Sequence, residues 1–511
     1  MTLGLLGAAS ATPALNFLAA NPNGTIRGLS LLAFSAAFFA ALTLAALALS
    51  LLVKLPFFRS ALVMSLVPFL TFSFGLAQGP LIDRPLPGAV MIGVWTVGII
   101  ALWAIFAKLF SYNHFRSAGI AFVLISATLP LFTVLGSARS SSDPTKPSAD
   151  NLALPVAASA SETLNVYHFV LDGYARADSL LAVLGFDNSP FIAALEERAF
   201  SFPTNTYANY PVTYLSLAST LEQRLVVPAG LGTNADEHLP FVPALRGDNA
   251  SKRSFVKAGY SYAHYENGWW VQSMCGEAVD LCIENRPLLS ETELTFLSNT
   301  PIIAAIKLWS PTTLRSLTET FTGGLGMIAD ALPLDRPGRW YTFLHVMSPH
   351  YPYEFANDCG WRFSDPSEEW REVDKPRYVN DIQCTNRAML QIVDRIIGAD
   401  PSAIILLHSD HGSAFTIRQS LTFDEWSQQQ LDERLGVFAA FRLPDLCDEW
   451  LYSGISPVNF LRIVQACAAG AAQPELLPDR HFITSWTDRT SDEYGSVAEF
   501  ECDSTCTPLL N

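Results

Sequence analysis

The first 140 residues of this 511-residue chain contain no cysteine and only one acidic residue, Asp83, against seven basic residues. Charged residues are scarce in the whole chain, at 16%, whereas half of the residues are hydrophobic. The mean hydropathy is +0.24. This composition indicates a membrane component.

Basic residues are scarce in the rest of the chain. Residues 141–511 hold 25 basic and 47 acidic residues, a net charge of −22, whereas residues 1–140 carry +6. Nucleic-acid binding needs a basic surface that pairs with phosphates, so this balance argues against a nucleic acid as the partner. We interpret the excess acids as the solvated surface of a soluble body.

Long apolar runs fill the front end. Four of them are close to the ~20 residues that cross a bilayer as a helix, namely 28–53, 60–77, 89–107 and 117–136. A weaker fifth candidate, 3–20, is interrupted by Pro13. We therefore expect a transmembrane domain at 1–136 with four clear helices and a fifth candidate.

The charges of the short loops predict the orientation of this domain. Lys54 and Arg59 lie in one loop, and Lys108 and Arg116 lie in another. Basic loops face the cytoplasm by the positive-inside rule, so the chain leaves its fourth apolar run on the outside. We expect an integral protein of the cytoplasmic membrane with residues 140–511 on the extracytoplasmic, periplasmic side.

All eight cysteines lie in this exported part. An even number of cysteines in an oxidising compartment predicts disulfides. A zinc site is the alternative, but no pair has the Cys-x-x-Cys spacing of a metal site. Proximity in sequence favours the pairs Cys275–Cys282, Cys359–Cys384, Cys447–Cys467 and Cys502–Cys506.

Residues 137–161 are rich in Ser, Ala and Pro and have no periodicity, which predicts a linker before an exported domain at 162–511. Beyond the linker, apolar strand patterns occur at 164–172, 340–347, 403–410 and 436–443. Helical patterns occur at 378–397 and 456–469. Apolar strands that alternate with helices predict an α/β domain whose central, largely parallel sheet is covered by helices on both faces.

Three of the predicted strands end in residues whose side chains could react or bind a metal. In such folds, ligands bind at the carboxyl ends of the strands. Asp172 follows the first strand, although Asp-Gly is also a common turn. The segment His345–His350 spans the end of the second. Asp410 and His411 follow the third and can together bind one divalent ion, the alternative being a polar loop.

Thr213 precedes a helical pattern at 214–221 and is a plausible N-cap. The same position suits a nucleophile, because the start of a helix attracts phosphoryl oxygens. A free hydroxyl is a weak nucleophile at neutral pH, so this function requires activation by a bound metal. The two interpretations are compatible.

Five segments in this order resemble the sulfatase-like branch of the alkaline phosphatase superfamily: "NVYHFVLDGYARAD", "NYPVTYLSLAST", "LHVMSPHYPYEF", "YVNDIQCTNRAMLQIVDRI" and "HSDHG". Together with the apolar front end, they are similar to the membrane-anchored bacterial members that transfer phosphoglycerol or phosphoethanolamine. The resemblance covers about 160–490. It implies that Asp172, Asp410 and His411 bind a metal and that Thr213 is both the nucleophile and the fourth ligand.

The resemblance further implies that His350, which lies between two prolines, acts on the transferred group or the leaving oxygen. We place His345 and Asn209 in substrate binding, with His345 also suited to a buried supporting position. The Cys/Ser-x-Pro-x-Arg motif of true sulfatases is missing around Thr213, which disfavours sulfate ester hydrolysis. A single Asp172 in place of paired aspartates predicts one divalent ion, and three oxygen ligands with one imidazole suit Mn²⁺, Zn²⁺ or Mg²⁺.

The function expected from these residues is transfer of a phospho-head-group from a membrane phospholipid to an envelope glycan or glycolipid, through a phospho-threonine intermediate. A phosphodiesterase or phosphatase that uses water as the acceptor is a second hypothesis with the same site. An inactive, lipid-sensing membrane protein of the same fold is a third.

Overall fold

The computed structural model describes most of the chain in fourteen stretches: 2–20, 28–74, 88–140, 164–226, 241–267, 273–276, 279–285, 288–289, 291–318, 321–363, 370–417, 426–484, 497–502 and 506–508. The chain divides into two compact units. The first consists of Met1–Ser148 together with Leu288–Thr318, and the second of Ala149–Pro287 and Glu319–Asn511. Residues 288–318, which the sequence placed in the exported domain, therefore group with the apolar front end.

The first unit is helical in the residues described. Its helices are α1 Thr2–Ala20, α2 Gly28–Val53, α3 Phe57–Met64, α4 Val67–Phe72, α5 Gly88–Leu109, α6 Asn113–Ser140, α12 Glu291–Ser298, α13 Pro301–Trp309 and α14 Pro311–Thr318. Four helices in the described residues are long and apolar enough to cross a membrane, through Thr2–Ala19, Ala33–Val53, Ile92–Leu109 and Asn113–Val134.

The four long helices are not the four that the sequence ranked first. The run 60–77 forms two short helices, α3 and α4, because Pro68 has no N–H to donate to the carbonyl four residues earlier and so begins a new helix in its first turn. The weaker run 3–20 is the continuous helix α1, which holds Pro13 in its interior. In α1, Leu5 and Ala9 pack against Val123 of α6.

The second unit is built on a six-stranded sheet in the order β3-β2-β4-β1-β5-β6. Neighbouring strands are parallel except β6, which runs antiparallel to β5. The strands are β1 Val166–Leu171, β2 Tyr260–Glu266, β3 Leu281–Glu284, β4 Arg339–Val346, β5 Ile404–Ser409 and β6 Ala439–Arg442. The predicted fold class is confirmed. The strands β2 and β3 were not predicted.

Helices surround this sheet and connect its strands. They are α7 Ala177–Leu184, α8 Ser189–Glu196, α9 Thr213–Glu222, α10 Val242–Leu245, α11 Ala250–Lys257, α15 Phe321–Ala331, α16 Lys375–Ala399, α17 Gln428–Leu435, α18 Asp445–Asp448 and α19 Pro457–Ala468. A separate antiparallel sheet joins β7 His481–Thr484, β8 Val497–Cys502 and β9 Cys506–Pro508.

Both faces of the central sheet are buried, which explains why its middle strands are mostly apolar on both faces. On one face, Phe169 of β1 belongs to the same core as Ile382 and Met389 of α16. On the other face, Val170 of β1 belongs to a second core with Phe460 of α19. The sheet is therefore a rigid platform, and its central strands β4, β1 and β5 end side by side.

Disulfides join Cys275 to Cys282, Cys359 to Cys384 and Cys447 to Cys467, the pairs that proximity in sequence favoured. Bonds across loops of this size stabilise a fold by about 2–4 kcal/mol each. Cys502 and Cys506 are partners in the β8–β9 register. Their side chains lie outside the described residues, so this fourth pair stays a prediction.

Candidate active site and metal centre

The carboxyl ends of β1, β4 and β5 bring three parts of the sequence together. The amide of Asp172 continues the ladder by donating to the carbonyl of Val346, at 2.9 Å. His345 lies level with Val170 of β1, one position before the end of β4. Asp410 follows directly after β5. All these side chains are buried, and the strand order alone makes them neighbours.

Backbone groups fix one oxygen of the Asp410 carboxylate. Its Oδ1 accepts hydrogen bonds from the N–H groups of Gly173, at 3.0 Å, and His411, at 2.9 Å. The second oxygen, Oδ2, is buried and has no hydrogen-bond partner in the described part of the chain. Asp410 therefore offers one unpaired carboxylate oxygen in a fixed direction.

Asp172 is arranged in the same way by a side chain. His345 donates from Nε2 to Asp172 Oδ2, at 3.1 Å, which leaves Oδ1 buried and without a hydrogen-bond partner among the described residues. Asn267 determines the direction of this bond. Its amide nitrogen donates to the His345 carbonyl and lies 3.2 Å from His345 Nδ1, so Nδ1 is the acceptor and Nε2 carries the proton.

His411 presents a lone pair to these two carboxylates. Its Nδ1–H donates to the carbonyl of Gly412, at 2.9 Å, so in the neutral ring Nε2 is unprotonated. Nε2 lies 3.4 Å from Asp410 Oδ2 and 3.7 Å from Asp172 Oδ1, the two unpaired oxygens. When both carboxylates are ionised, three atoms with free lone pairs thus face one another.

Gly412 allows this turn after the strand. A Cβ atom at this position would lie 2.0 Å from the carbonyl oxygen of Glu433, so no larger residue fits. Glu433 in turn orders the following loop, because its carboxylate accepts hydrogen bonds from Ser413 Oγ and from the amides of Phe415 and Thr416. The segment after His411 is therefore tied to α17.

Thr213 completes the group from the start of α9. Its hydroxyl donates to His411 Nε2, at 3.1 Å, and its side chain is almost fully buried. One turn later, Ser216 Oγ donates to the carbonyl of Asp410, at 2.7 Å, which ties α9 to the end of β5. The cap prediction for Thr213 was wrong. Val212 is the N-cap and makes no side-chain cap bond, and Thr213 is the first residue of the helix with its hydroxyl turned to His411.

These four atoms fit a divalent cation. Two carboxylate oxygens, one imidazole nitrogen and one hydroxyl oxygen form a donor set that suits Mn²⁺, Zn²⁺ or Mg²⁺. Two buried oxygens without hydrogen-bond partners would each cost free energy unless a cation binds them. His345 also lies within the cluster, with one donor atom each from Asp172, His345 and Asp410 within 4.8 Å of one another. Since its Nε2–H donates to Asp172, His345 is better suited to orienting that carboxylate than to binding the ion.

Burial makes negative charge unfavourable here. Burial, together with the charge of the neighbouring Asp172, raises the pKa of Asp410 to about 7. Burial also raises the pKa of Asp172, against the opposing effects of His350 and Arg434. For His411, burial lowers the pKa well below its ordinary value, and the charge of Arg434 acts in the same direction. Arg434, buried at the end of α17, is the cation held permanently near the two carboxylates.

His350 lies at the rim of the group, in the loop after β4. Its ring edge faces Trp370 in a T-shaped contact, with centroids 5.3 Å apart, and its centroid lies 6.3 Å from that of His411. Nδ1–H donates to the carbonyl of Tyr351, at 2.6 Å, so Nε2 is the nitrogen that can exchange a proton. Burial lowers the pKa of His350, and Asp172 counteracts this.

The predicted role of Asn209 in substrate binding is not supported, because its side-chain amide is already used inside the fold. Nδ2 donates to Ser456 Oγ and to the carbonyl of Arg480. Oδ1 accepts from the amide of Val458, at 2.9 Å, and so caps the start of α19. Asn209 holds α19 and β7 in place.

Sequence reasoning missed Asn267, Glu433 and Arg434. Glu433 and Arg434 are adjacent charged residues in a polar helical pattern, which usually indicates a solvated surface, and only their burial marks them out. Asn267 follows β2, a strand that was itself not predicted. One indication in the sequence that Glu433 and Arg434 are buried is that they lie just before the predicted strand at 436–443.

The sequence model of the Sulfatase family matches residues 160–433, more than half of the chain. The chain therefore belongs to the sulfatase family, which confirms the resemblance inferred from the sequence motifs. No curated protein matches the chain.

Several solved structures are similar to parts of this chain. They include the C-terminal periplasmic domain of EptC from Escherichia coli, at 10% identity over 66% of this chain and 92% of that one, with a TM-score of 0.42. The integral membrane protein lipooligosaccharide phosphoethanolamine transferase A from Neisseria meningitidis matches at 12% identity over 92% of this chain and 97% of its own, with a TM-score of 0.42. The phosphonate monoester hydrolase of Agrobacterium radiobacter matches at 14% identity over 66% and 86%, with a TM-score of 0.43.

Proposed function

We propose that the chain is a metal-dependent transferase that moves phosphoglycerol or phosphoethanolamine from a membrane phospholipid to an envelope glycan or glycolipid. It acts at the extracytoplasmic face of a bacterial cytoplasmic membrane. The observation that supports this most strongly is the approach of Thr213 Oγ1 to His411 Nε2, beside the unpaired oxygens of Asp172 and Asp410. A hydroxyl among three such donor atoms is suited to activation by a cation.

Asp172, Asp410, His411 and Thr213 would hold the ion through Oδ1, Oδ2, Nε2 and Oγ1 respectively. When bound, the divalent ion lowers the pKa of the coordinated hydroxyl and neutralises charge on the phosphoryl group. His345 binds Asp172 and is itself held by Asn267, so these two residues keep Asp172 in the rotamer that would bind the ion, without binding it themselves.

Thr213 attacks the phosphorus of the donor. Thr213 Oγ1 gives up its proton to water and forms a bond to phosphorus, the bond from phosphorus to the diacylglycerol oxygen breaks, and that oxygen takes up a proton from His350. In the second half, a hydroxyl of the acceptor attacks the same phosphorus and loses its proton to His350, and Thr213 Oγ1 leaves and takes up a proton from water. Because Thr213 lies in the first turn of α9, the phosphoryl oxygens of a donor bonded to its hydroxyl would lie near the positive end of the helix dipole.

His350 is the group that exchanges the protons of the diacylglycerol and acceptor oxygens. Because Nδ1–H is held by the Tyr351 carbonyl, proton transfer uses Nε2 alone. The protonated ring donates to the diacylglycerol oxygen, and the neutral ring then accepts the proton of the acceptor hydroxyl. Arg434, which donates to the Gly412 carbonyl at 3.1 Å, supplies positive charge beside a phosphodiester that the carboxylates would otherwise repel.

Product analysis tests this proposal and separates transfer from hydrolysis. The full chain in lipid membranes is given phospholipid with a labelled head group, with and without a glycan acceptor. We expect label on the glycan, and we expect the Thr213→Ala variant to release no labelled product. Thr220→Val is the matched control, since Thr220 lies in the same helix and its hydroxyl donates to the Ser216 carbonyl within that helix. Release of free labelled head group at the same rate with and without glycan would overturn the transferase in favour of a hydrolase.

A further inference from the structure

The segment 288–318 interrupts the sequence of the second unit between β3 and β4 yet belongs to the first unit. Its helix α12 is anchored by Phe296, which is buried among aromatic rings of the apolar helices. The Phe296 ring lies 5.5 Å from Phe17, 6.0 Å from Phe34 and 4.7 Å from Phe72, measured between centroids. Three separate helices, α1, α2 and α4, thus hold this one side chain.

The position of Phe34 along α2 gives the depth of this contact. α2 ends at Val53, directly before the basic loop of Lys54 and Arg59. Phe34 is nineteen residues before that end, or ~28 Å along the axis at ~1.5 Å per residue. This is close to the ~30 Å thickness of the hydrocarbon core. Because basic loops face the cytoplasm, Phe296 lies near the opposite, outer surface of the membrane.

The next helix, α13, begins close to Phe296 in the sequence and exposes large apolar side chains. Thr300 caps it by accepting from the amide of Ile302, and α13 packs against α5, one of the four helices able to span a membrane. Trp309 is 78% exposed, Leu308 44% and Ile302 37%. An apolar surface that includes tryptophan costs free energy in water and is typical of the membrane–water boundary.

We propose that residues 288–318 form an interfacial segment that lies in the outer leaflet, with Trp309, Leu308 and Ile302 of α13 in contact with phospholipid. Two observations favour lipid over a protein partner. The surface is continuous with α5, whose Val94 and Val97 are also largely exposed, as expected of a lipid-facing helix. Tryptophan beside basic residues, here Lys307 on α13, is the pattern that places rings at the head-group level and cations at the phosphates.

One consequence concerns how the exported part is held. The chain crosses between the two units after residues 148, 287 and 318, so the linker is one of three covalent connections. Two of these lead into and out of the interfacial segment. The second unit is therefore retained at the membrane by this segment as well as by the linker. This inference does not depend on the reaction that the protein catalyses.

Quenching of tryptophan fluorescence by spin-labelled lipids tests the location. The full chain and Trp309→Phe are compared in bilayers whose phospholipids carry the nitroxide at a shallow or a deep position, and the difference between them isolates the Trp309 signal. We expect this signal to be quenched more strongly by the shallow than by the deep label and to resist aqueous iodide. Trp340→Phe is the matched control, because Trp340 is buried in β4 and its signal should respond to neither lipid. A Trp309 signal quenched by iodide and by neither lipid, or more strongly by the deep label, would overturn the proposal.

Proteolysis provides a second measurement. A protease site is introduced within residues 141–161 of the predicted linker, after the end of α6. The protein is cleaved in its membranes, which are then washed with high salt. The carboxyl-terminal fragment should stay with the membrane, and it should be released when Phe296, Leu308 and Trp309 are all changed to glutamate, which removes both the Phe296 contact and the apolar surface of α13. Release of the fragment without these substitutions would contradict retention by the interfacial segment.

Discussion

Thr213 and His411 are 198 residues apart in sequence, yet the Thr213 hydroxyl donates to Nε2 of the histidine at 3.1 Å. The contact follows from two local arrangements. The Gly412 carbonyl binds Nδ1 of His411, which leaves Nε2 free of a proton. The bond from Ser216 to the Asp410 carbonyl fixes α9 at the end of β5. The nucleophile and three candidate ligands of the proposed mechanism therefore form one unit.

Substitutions of Thr213 should show whether its hydroxyl is needed for the reaction rather than for folding. Thr213→Ala should lower turnover by at least about 10³-fold, since loss of a nucleophile leaves only binding and charge stabilisation. Thr213→Ser keeps a hydroxyl and should retain measurable turnover. The measurement is the initial rate of labelled head-group release. Full turnover by Thr213→Ala would remove Thr213 from the mechanism.

Removal of the metal should destabilise the second unit. Without an ion, the unpaired oxygens of Asp172 and Asp410 are buried close to each other. An ion at a concentration 100-fold above its dissociation constant stabilises the folded state by about 2.7 kcal/mol. A chelator should therefore lower the melting temperature of the wild type, whereas the double variant Asp172→Asn/Asp410→Asn should show no response. An equal response of both proteins would place the ion elsewhere.

His345 should act through Asp172. His345→Phe removes the donor to Asp172 Oδ2, and loss of such a supporting bond typically weakens metal affinity by about 10–100-fold. Metal titration of the purified chain measures this directly and does not depend on turnover. His481→Phe is the control, because His481 is an equally buried histidine that donates to the Ala208 carbonyl away from the site. Unchanged affinity in His345→Phe would leave His345 with a packing role only.

Gly412 should not tolerate a side chain. In Gly412→Ala the new methyl would lie 2.0 Å from the Glu433 carbonyl oxygen. We therefore expect the free energy of unfolding to fall by about 1–3 kcal/mol and metal binding to be lost as well. Gly398→Ala, in α16, is the matched control. No atom lies within 4 Å of its Cβ position, and it should gain about 0.5–1 kcal/mol. Chemical unfolding of both variants measures the contrast, and equal stabilities would contradict it.

Acid should destabilise the second unit through its buried histidines, and His264 provides a test away from the candidate ligands. Burial lowers the pKa of His264 to about 4, whereas in the unfolded chain it is about 6.5. Between these values the unfolded state binds more protons, so stability is present above about pH 6.5 and is lost as the pH falls toward 4, by up to about 1.4 kcal/mol per pH unit. His264→Gln should therefore show a shallower decline of its melting temperature with acid. Parallel profiles for the two proteins would refute this assignment.

The central strands could be predicted because both of their faces are buried. β1, β4 and β5 are mostly apolar, and their ends placed Asp172, Asp410 and His411 correctly at one edge of a sheet. The strand β2 could not be found in this way. Its sequence, Tyr260–Glu266, is buried with histidine and glutamate inside it, and the polar groups find partners only in the folded chain, such as the Tyr262 hydroxyl for His264.

The supporting residues of the site were hidden for a similar reason. Arg434 reaches the Gly412 carbonyl from α17, and Asn267 reaches His345 from the end of β2. Neither contact has a local sequence pattern, because each depends on which elements pack together. The same is true of Thr213, whose apparent cap position is taken by Val212 once α9 is placed against His411.

The most direct test of the proposed mechanism is mass spectrometry of the chain after incubation with mixed phospholipids and without acceptor. We expect an added mass of phosphoglycerol or phosphoethanolamine on the peptide that contains Thr213, absent from Thr213→Ala and present in Thr220→Val. Label on another residue, or turnover of phospholipid with no covalent adduct at Thr213 in rapidly quenched samples, would contradict it.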